Sequence, residues 1–258
     1  MKKNFVSILI TNYNKSRYLK KTISSCLNQN FDNKEILVFD DCSTDDSLKI
    51  LNKFKKIKII RNKKKKFKSG PLNQIYGLNE LFKISKGNII FLLDSDDMFR
   101  KNKLFEISKI FKKNKKINFI QDTPLINLFK KKMLLKKKKY FFSIWPSFFP
   151  TSCITFERSF FQNFLKVLRK NEFPNLEIDA RLSIYAHIRK QFFLTKKCLT
   201  IYNYDENGIS SKYKKFSKNW WKKRDEAFSY MIFLMKKFDI KLFLGPDFYL
   251  TKIINFFI

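Results

Sequence analysis

Residues 89–97 read Ile89-Ile90-Phe91-Leu92-Leu93-Asp94-Ser95-Asp96-Asp97, five apolar residues that break into three carboxylates within four positions. A short apolar run bounded by turn residues fits a fully buried strand, so the acidic cluster falls where that strand reaches the rim of a sheet. Three carboxylates this close repel one another unless a cation compensates them. No Cys or His lies among them to suggest zinc, and an oxygen-only set points to Mg²⁺ or Mn²⁺ held against a phosphate. Asp is also a common turn residue, and an isolated D-x-D-D is more often a solvated turn. The surrounding pattern has to decide.

Working outward, Val6–Ile10 is another short apolar run, followed at helical spacing by Tyr18, Leu19, Ile23, Cys26 and Leu27, with Ser16 as the expected cap. Glu35–Phe39 begins a second unit, and Ser43-Thr44-Asp45-Asp46 places cap-type residues ahead of Leu48, Leu51 and Phe54. Ile57–Ile60 reads as a third strand, Leu72–Ser85 as a helix ending near Gly87, and Asn88–Leu93 as the fourth strand. Alternation of this kind specifies an α/β fold whose mostly parallel sheet carries helices on both faces. Ligands of such sheets bind beyond the carboxyl ends of the strands. Thr11–Asn14, Asp40-Asp41 and Asp94–Asp97 all fall there, so parallel strands would gather them on one edge.

Beyond a helix at Lys101–Lys113 the pattern is less regular. Asn118–Gln121 reads as a strand, Ser159–Leu168 and Asp179–Arg189 as helices, Phe192–Tyr204 as extended and Ser217–Phe238 as a longer helix. With no repeat and no Gly/Ser linker, residues 1–215 are expected to form one domain, split near residue 105 into nucleotide-sugar and acceptor halves. Residues 216–258 are expected to be a helical extension.

The chain of 258 residues is 44% hydrophobic with 31 Phe, which excludes a disordered protein. The net charge of +33 favours anionic partners, yet Lys supplies most of it alongside abundant Asn, Ile and Phe, a coding bias as much as a function. Cys26, Cys42, Cys153 and Cys198 are far apart and fit reduced thiols in a cytoplasmic protein. Met1-Lys2-Lys3 before Phe5–Ile10 imitates a signal peptide, but the apolar stretch is short and ends in Thr11-Asn12-Tyr13-Asn14, so it reads as a strand. No apolar run approaches the roughly 18 residues expected of a spanning helix.

The runs Val6–Asn14, Cys26-Leu27-Asn28-Gln29, Glu35–Asp45, Lys86-Gly87 and Phe91–Asp97, in this order and spacing, resemble the successive motifs of family 2 glycosyltransferases of the GT-A fold. The resemblance covers about residues 5–105 and continues in patches at Pro150-Thr151-Ser152, Ile178-Asp179-x-Arg181-Leu182 and Tyr202–Ser210. It implies an inverting transfer of a sugar from a nucleoside-diphosphate sugar, UDP on family grounds, to a hydroxyl of a glycan or lipid-linked acceptor, in a bacterial envelope polysaccharide pathway. By the same resemblance Thr11 and Tyr13 would contact base and ribose, and Asp41, with Asp40 beside it, would accept from the base. Asp96 would meet the ribose or metal, Asp97 the divalent ion on the diphosphate, and Asp94 would open the D-x-D. Asp179 matches the family's acceptor-side acid and is the expected general base, with Glu177 in reserve; ordinary helix-start acids are the plainer reading of both. The chain departs from the family at Cys42, where Gly is frequent, at Leu78-Asn79, where Arg-Asn is common, and at Ile178, where many relatives are acidic.

Lys63–Lys66 and Lys68 are candidate phosphate contacts, against the plainer reading of a solvated run. His187 and Cys42 read as structural. The runs Lys130–Lys139 and Trp220–Arg224 and the terminal Phe256-Phe257-Ile258 have the composition of segments that rest on an anionic bilayer, although solvated lysines over core aromatics explain them too. Peripheral contact with the inner face of the membrane is therefore an open expectation. Two rival functions would leave different marks in the sequence. A nucleotidyltransferase would carry a Gly-rich basic loop where Thr11–Asn14 stands, and a nucleic-acid binder would need a recognisable module with alternating aromatic and basic residues, which is not evident.

Overall fold

The computed structural model describes residues 5–128, 131–134, 148–169, 171–205, 208, 212–241 and 244–258. Strands β1 (Val6–Asn12), β2 (Lys34–Asp40), β3 (Lys58–Arg61) and β4 (Ile89–Asp94) alternate with helices α1 (Ser16–Leu27), α2 (Ser47–Leu51) and α3 (Gly70–Ile84). All four strands are parallel and lie in the order β3-β2-β1-β4. The chain winds outward from β1 to β3 and then returns to place β4 on the other side of β1. The sheet edge therefore opens a crevice at the carboxyl ends of β1 and β4, the switch point where such folds bind ligands.

Period-two alternation sorts the strand side chains to two cores. Ile8 and Ile10 of β1 and Phe91 and Leu93 of β4 join Leu19, Ile23 and Cys26 of α1, and also Leu104, Ile107 and Phe111 of α4 (Lys103–Lys113). Leu9, Leu37, Ile90 and Leu92 face the opposite way, onto Leu72, Ile75, Leu78 and Leu81 of α3. Gly87 lets the turn before β4 lie against β1: a Cβ there would fall 2.4 Å from the Ser7 amide nitrogen.

The start of α1 differs from expectation. Ser16 is the first helical residue rather than the cap, and its amide donates to Asp45 Oδ2 at 2.9 Å, while Asp45 Oδ1 accepts from the Ser47 amide at the start of α2. One carboxylate thus serves two helix N-termini. Burial acts to raise its pKa, but the hydrogen bonds from Ser47 and Ser16 prevail and hold it below the ordinary Asp value.

The remaining strands are β5 (Met98–Phe99), β6 (Phe119–Leu128), β7 (Lys131–Leu134), β8 (Ile154–Glu157) and β9 (Phe192–Asn203). Here the sheet becomes mixed: β8 runs antiparallel to β4 and β6, while β9 is parallel to β6 and antiparallel to β5. Helices α5 (Arg158–Leu165), α6 (Ile178–Ile188), α7 (Lys218–Lys237) and α8 (Pro246–Phe257) complete the chain. Phe160, Phe161 and Phe164 of α5, Leu182 and Tyr185 of α6, and Phe228, Tyr230 and Leu234 of α7 extend the α3-side core. Of the basic run at Lys130–Lys139, only the backbone of β7 lies among the described residues.

Candidate active site

Strand register brings the three polar clusters together. Thr11 pairs with Asp94, and Asn12 pairs with Asp40, so the ends of β1, β2 and β4 lie side by side. A cleft of about 290 Å³ opens over these ends. Thr11, Tyr13, Asp41, Asp94 and Asp96 line it from these strand ends. Glu177 and Asp179, at the start of α6, line it as well.

The expected site residues divide by where their side chains go. Asp40 is fully buried and does not line the cleft; it accepts from Asn12 Nδ2 at 2.7 Å and from the Ser43 amide at 3.1 Å, closing the turn after β2. Asp41 lines the cleft and accepts from Asn62 Nδ2 at 2.9 Å. Between Asp41 and Ser43, Cys42 has φ of 60°, the left-handed region in which Gly is at ease. Tyr13 is 43% exposed, with the Lys65 ammonium 3.5 Å from its ring centroid. Of the basic run before α3, Lys65 and Lys68 reach the cleft wall.

The acidic turn is held from below. The Thr22 hydroxyl of α1 lies 2.9 Å from the Ser95 carbonyl and 2.8 Å from that of Asp97. Asp97 is fully buried and outside the cleft: its carboxylate accepts from Ser152 Oγ at 2.5 Å and from the Asn203 amide at 2.8 Å. Ser152 Oγ also accepts from the Asp94 amide, so one hydroxyl ties two members of the cluster together. Asp94 accepts from Gln74 Nε2 at 2.7 Å, and its carboxyl is pushed up to about 8, first by burial and then by the Asp96 and Asp179 charges. Asp96 pairs with Lys15 at 2.7 Å. Lys15 in turn reaches Asp205 at 2.5 Å, in the segment after β9.

Asp94 and Asp96 thus face the cleft as hard oxygen donors at a site that burial and like charge make costly to leave uncompensated. No cluster of three or more His, Cys, Asp or Glu among the described residues is arranged to enclose a metal. That donor set fits Mg²⁺ or Mn²⁺, which are commonly held by one or two carboxylates and completed by substrate phosphates and water.

Asp179, partly buried, has its carboxyl pushed up to about 7 by burial and then by Glu177, with Lys223 opposing. Glu177 is buried and ion-paired to Lys223 of α7. The loop before α6 is held by Arg181, whose fully buried guanidinium donates to the carbonyls of Leu176, Glu172 and Phe173 at 3.0, 2.7 and 2.7 Å.

The Glycosyl transferase family 2 pattern matches residues 7–175, most of the strands and helices just described. The chain belongs to this family. Among its relatives, a UDP-Glc:alpha-D-GlcNAc-diphosphoundecaprenol beta-1,3-glucosyltransferase of Escherichia coli is 38% identical over 114 residues, 41% of this chain and 43% of that protein. The chain spans less than half the length of the curated relatives it matches. Staphylococcus aureus TarS 1-349, solved with UDP-GlcNAc, superposes with a TM-score of 0.64 at 15% identity over 88% of this chain and 66% of that one. The mannosyltransferase PcManGT of Pyrobaculum calidifontis, solved with GDP-Man and Mn²⁺, gives 0.58 at 10% identity over 95% and 66%. The chain has the GT-A fold that these structures share.

Several cleft residues escaped the sequence reading. Asn73 and Gln74 line the cleft from the first turns of α3, whereas Leu78, at the departure noted above, is buried in the core. Lys15, Tyr202, Asp205 and Lys212 also line it. Burial and then the carboxylates of Asp97, Asp94 and Asp96 raise the Tyr202 hydroxyl above its ordinary pKa. Lys15 directly follows the Thr11–Asn14 cluster, and Tyr202 and Asp205 fall in the Tyr202–Ser210 patch of the resemblance, which assigns them no role.

Proposed function

We propose that this family member transfers a sugar, with inversion, from a UDP-sugar to a hydroxyl of a glycan or lipid-linked acceptor, in bacterial envelope polysaccharide synthesis. The observation that carries this reading is the shared cleft, lined by Thr11 and Tyr13 at the end of β1, by the carboxylates Asp41, Asp94 and Asp96 at the ends of β2 and β4, and by Asp179 of α6. The E. coli relative, a UDP-Glc:alpha-D-GlcNAc-diphosphoundecaprenol glucosyltransferase, and the TarS complex with UDP-GlcNAc support the choice of UDP, and the former that of a lipid-linked acceptor.

Tyr13 offers a ring face to the base, and Asp41 an acceptor for a base N–H. Asp94 and Asp96 would hold Mg²⁺ or Mn²⁺, which when bound supplies positive charge to the departing diphosphate. Lys65 and Lys68 lie along the same wall and add cationic charge. On the other side, Asp179 takes the proton of the acceptor hydroxyl as its oxygen attacks the anomeric carbon. The new bond is carbon–oxygen to the acceptor, the broken bond is carbon–oxygen to the diphosphate, and the nucleoside diphosphate leaves with the electron pair. A carboxyl pushed up to about 7 is a stronger base than an ordinary Asp and is still ionised in part at neutral pH.

A thermal-shift panel of UDP, GDP, dTDP and CMP, each with and without Mn²⁺, tests the donor half. Stabilisation by UDP that Mn²⁺ increases is expected. Indifference to all four nucleotides would sink the proposal.

A further inference from the structure

Helix α8 is amphipathic in the wrong sense for a helix facing water. Its polar residues Asp247, Thr251 and Asn255, spaced four apart, turn inward onto α7. Arg224 of α7 donates to Asp247 Oδ2 at 2.7 Å and to Thr251 Oγ1 at 2.8 Å, and Asn255 Nδ2 donates to the Trp221 carbonyl at 3.0 Å. The opposite face presents Tyr249, Leu250, Ile253, Phe256 and Phe257, exposed by 57, 52, 57, 84 and 78%. Water-facing helices carry the reverse arrangement. The polar pins fix which face points outward, so the exposure follows from specific contacts and not from a loosely placed terminus.

Charge distinguishes among possible occupants. Asn255 bonds to Trp221, so the Phe256-Phe257 end of α8 lies near the start of α7. The chain there carries Lys212, Lys214, Lys215, Lys218 and Lys222, all exposed, together with Phe216 at 63% exposure. A second copy of this chain would bring an equal cluster of lysines against this one. An anionic lipid surface would instead be attracted, and it accepts apolar side chains at the depth of its acyl boundary.

The same end of α7 adjoins the cleft. Lys212 lines the cleft, and Lys223 pairs with Glu177 on its acceptor side. We propose that the outer face of α8 and the lysines at the start of α7 dock on an anionic bilayer, holding the acceptor side of the cleft beside the membrane surface. The docking surface stands on its own geometry; its purpose rests on the lipid-linked acceptor proposed above.

The full chain is tested by sedimentation with vesicles of phosphatidylcholine alone and of phosphatidylcholine mixed with phosphatidylglycerol, with UDP thermal shifts measured in parallel. Binding to the anionic vesicles alone is expected, weakening as salt is raised. Phe256→Ser/Phe257→Ser should weaken it about tenfold or more, and Lys214→Glu/Lys215→Glu/Lys218→Glu about 100-fold or more. Both variants should keep their UDP shift, since the replaced side chains are exposed. No wild-type binding to the anionic vesicles, binding unchanged in both variants, or a dimer in light scattering that the Phe variant dissociates would overturn the proposal. A missing UDP shift with intact vesicle binding would count against the donor reading and leave this surface standing.

Discussion

The Lys15 ammonium lies 2.7 Å from the Asp96 carboxylate and 2.5 Å from that of Asp205, so a protein cation already sits on the carboxylate proposed to meet the metal. Burial opposes the charge on Lys15, but Asp96 and Asp205 outweigh it and raise its pKa above the ordinary Lys value. A divalent ion bound as proposed would compete with Lys15 for Asp96, and Asp205 offers Lys15 an alternative partner. Lys15→Met should therefore lower the Mn²⁺ concentration at half-maximal activity about 5- to 10-fold, equivalent to about 1 kcal/mol of relieved competition. Asp96→Asn should abolish the Mn²⁺ response of the UDP thermal shift. A Lys15→Met enzyme with an unchanged Mn²⁺ titration would count against the competition.

As the proposed base, Asp179 would act only when ionised, and its carboxyl is pushed up to about 7. The value of kcat/KM should rise about tenfold per pH unit below that value and level off above it. Glu177→Gln removes a charge that raises this pKa and should shift the rising limb to lower pH. Asp179→Asn should cost about 10²–10⁴-fold in turnover while keeping the UDP shift. The same titration bears on stability. A folded-state pKa above the unfolded value of about 3.9 means that the folded chain binds more protons between the two, so this group's contribution falls as pH rises from about 4 to 7. Asp179→Asn should flatten that slope in urea unfolding.

Arg181 donates to four carbonyls, those of Leu176, Arg169, Glu172 and Phe173, in the segment that delivers Glu177 and Asp179. Lys cannot fan its donors in one plane as the guanidinium does. Arg181→Lys should destabilise the fold by about 1–3 kcal/mol, read from the urea midpoint, the cost of orphaning a buried acceptor such as the Leu176 carbonyl. Turnover should fall more than donor binding, since the loop lies on the acceptor side.

Cys42 holds a left-handed backbone with φ of 60° and makes one weak hydrogen bond, Sγ to the Asn62 carbonyl at 3.3 Å. Cys42→Gly should be neutral or stabilising by up to about 1 kcal/mol, as relief of strain offsets the greater freedom of Gly in the unfolded chain. Cys42→Val should lower the melting temperature, because a β-branched residue is poorly tolerated there. Equal melting temperatures for the two variants would show that the backbone relaxes.

The parallel β/α order of residues 6–94 is legible in the sequence because its signals are local. Apolar runs such as Val6–Ile10 and Phe91–Leu93 bury both faces, and parallel pairing then carries the residues that follow them to one edge. The geometry separated neighbours that sequence had grouped. Asp96 faces the cleft and pairs with Lys15, whereas Asp97, the next residue, is turned inward onto Ser152 and Asn203. Those partners come from residues more than fifty positions away, which no local pattern encodes. Likewise, the Phe256-Phe257-Ile258 terminus was noted for its composition alone; a helix over Pro246–Phe257 and the direction of its apolar face depend on Arg224 and Trp221 of another helix.

By itself, then, the sequence determined the alternating α/β order, the parallel first half of the sheet and the positions of its polar turns, since periodicity and turn chemistry act over a few residues. Tertiary structure alone decided which carboxylates meet in the cleft, which cations sit among them, and which face of the last helix turns to the outside. Those outcomes depend on strand register, burial and long-range hydrogen bonds, whose partners only the folded chain brings within reach.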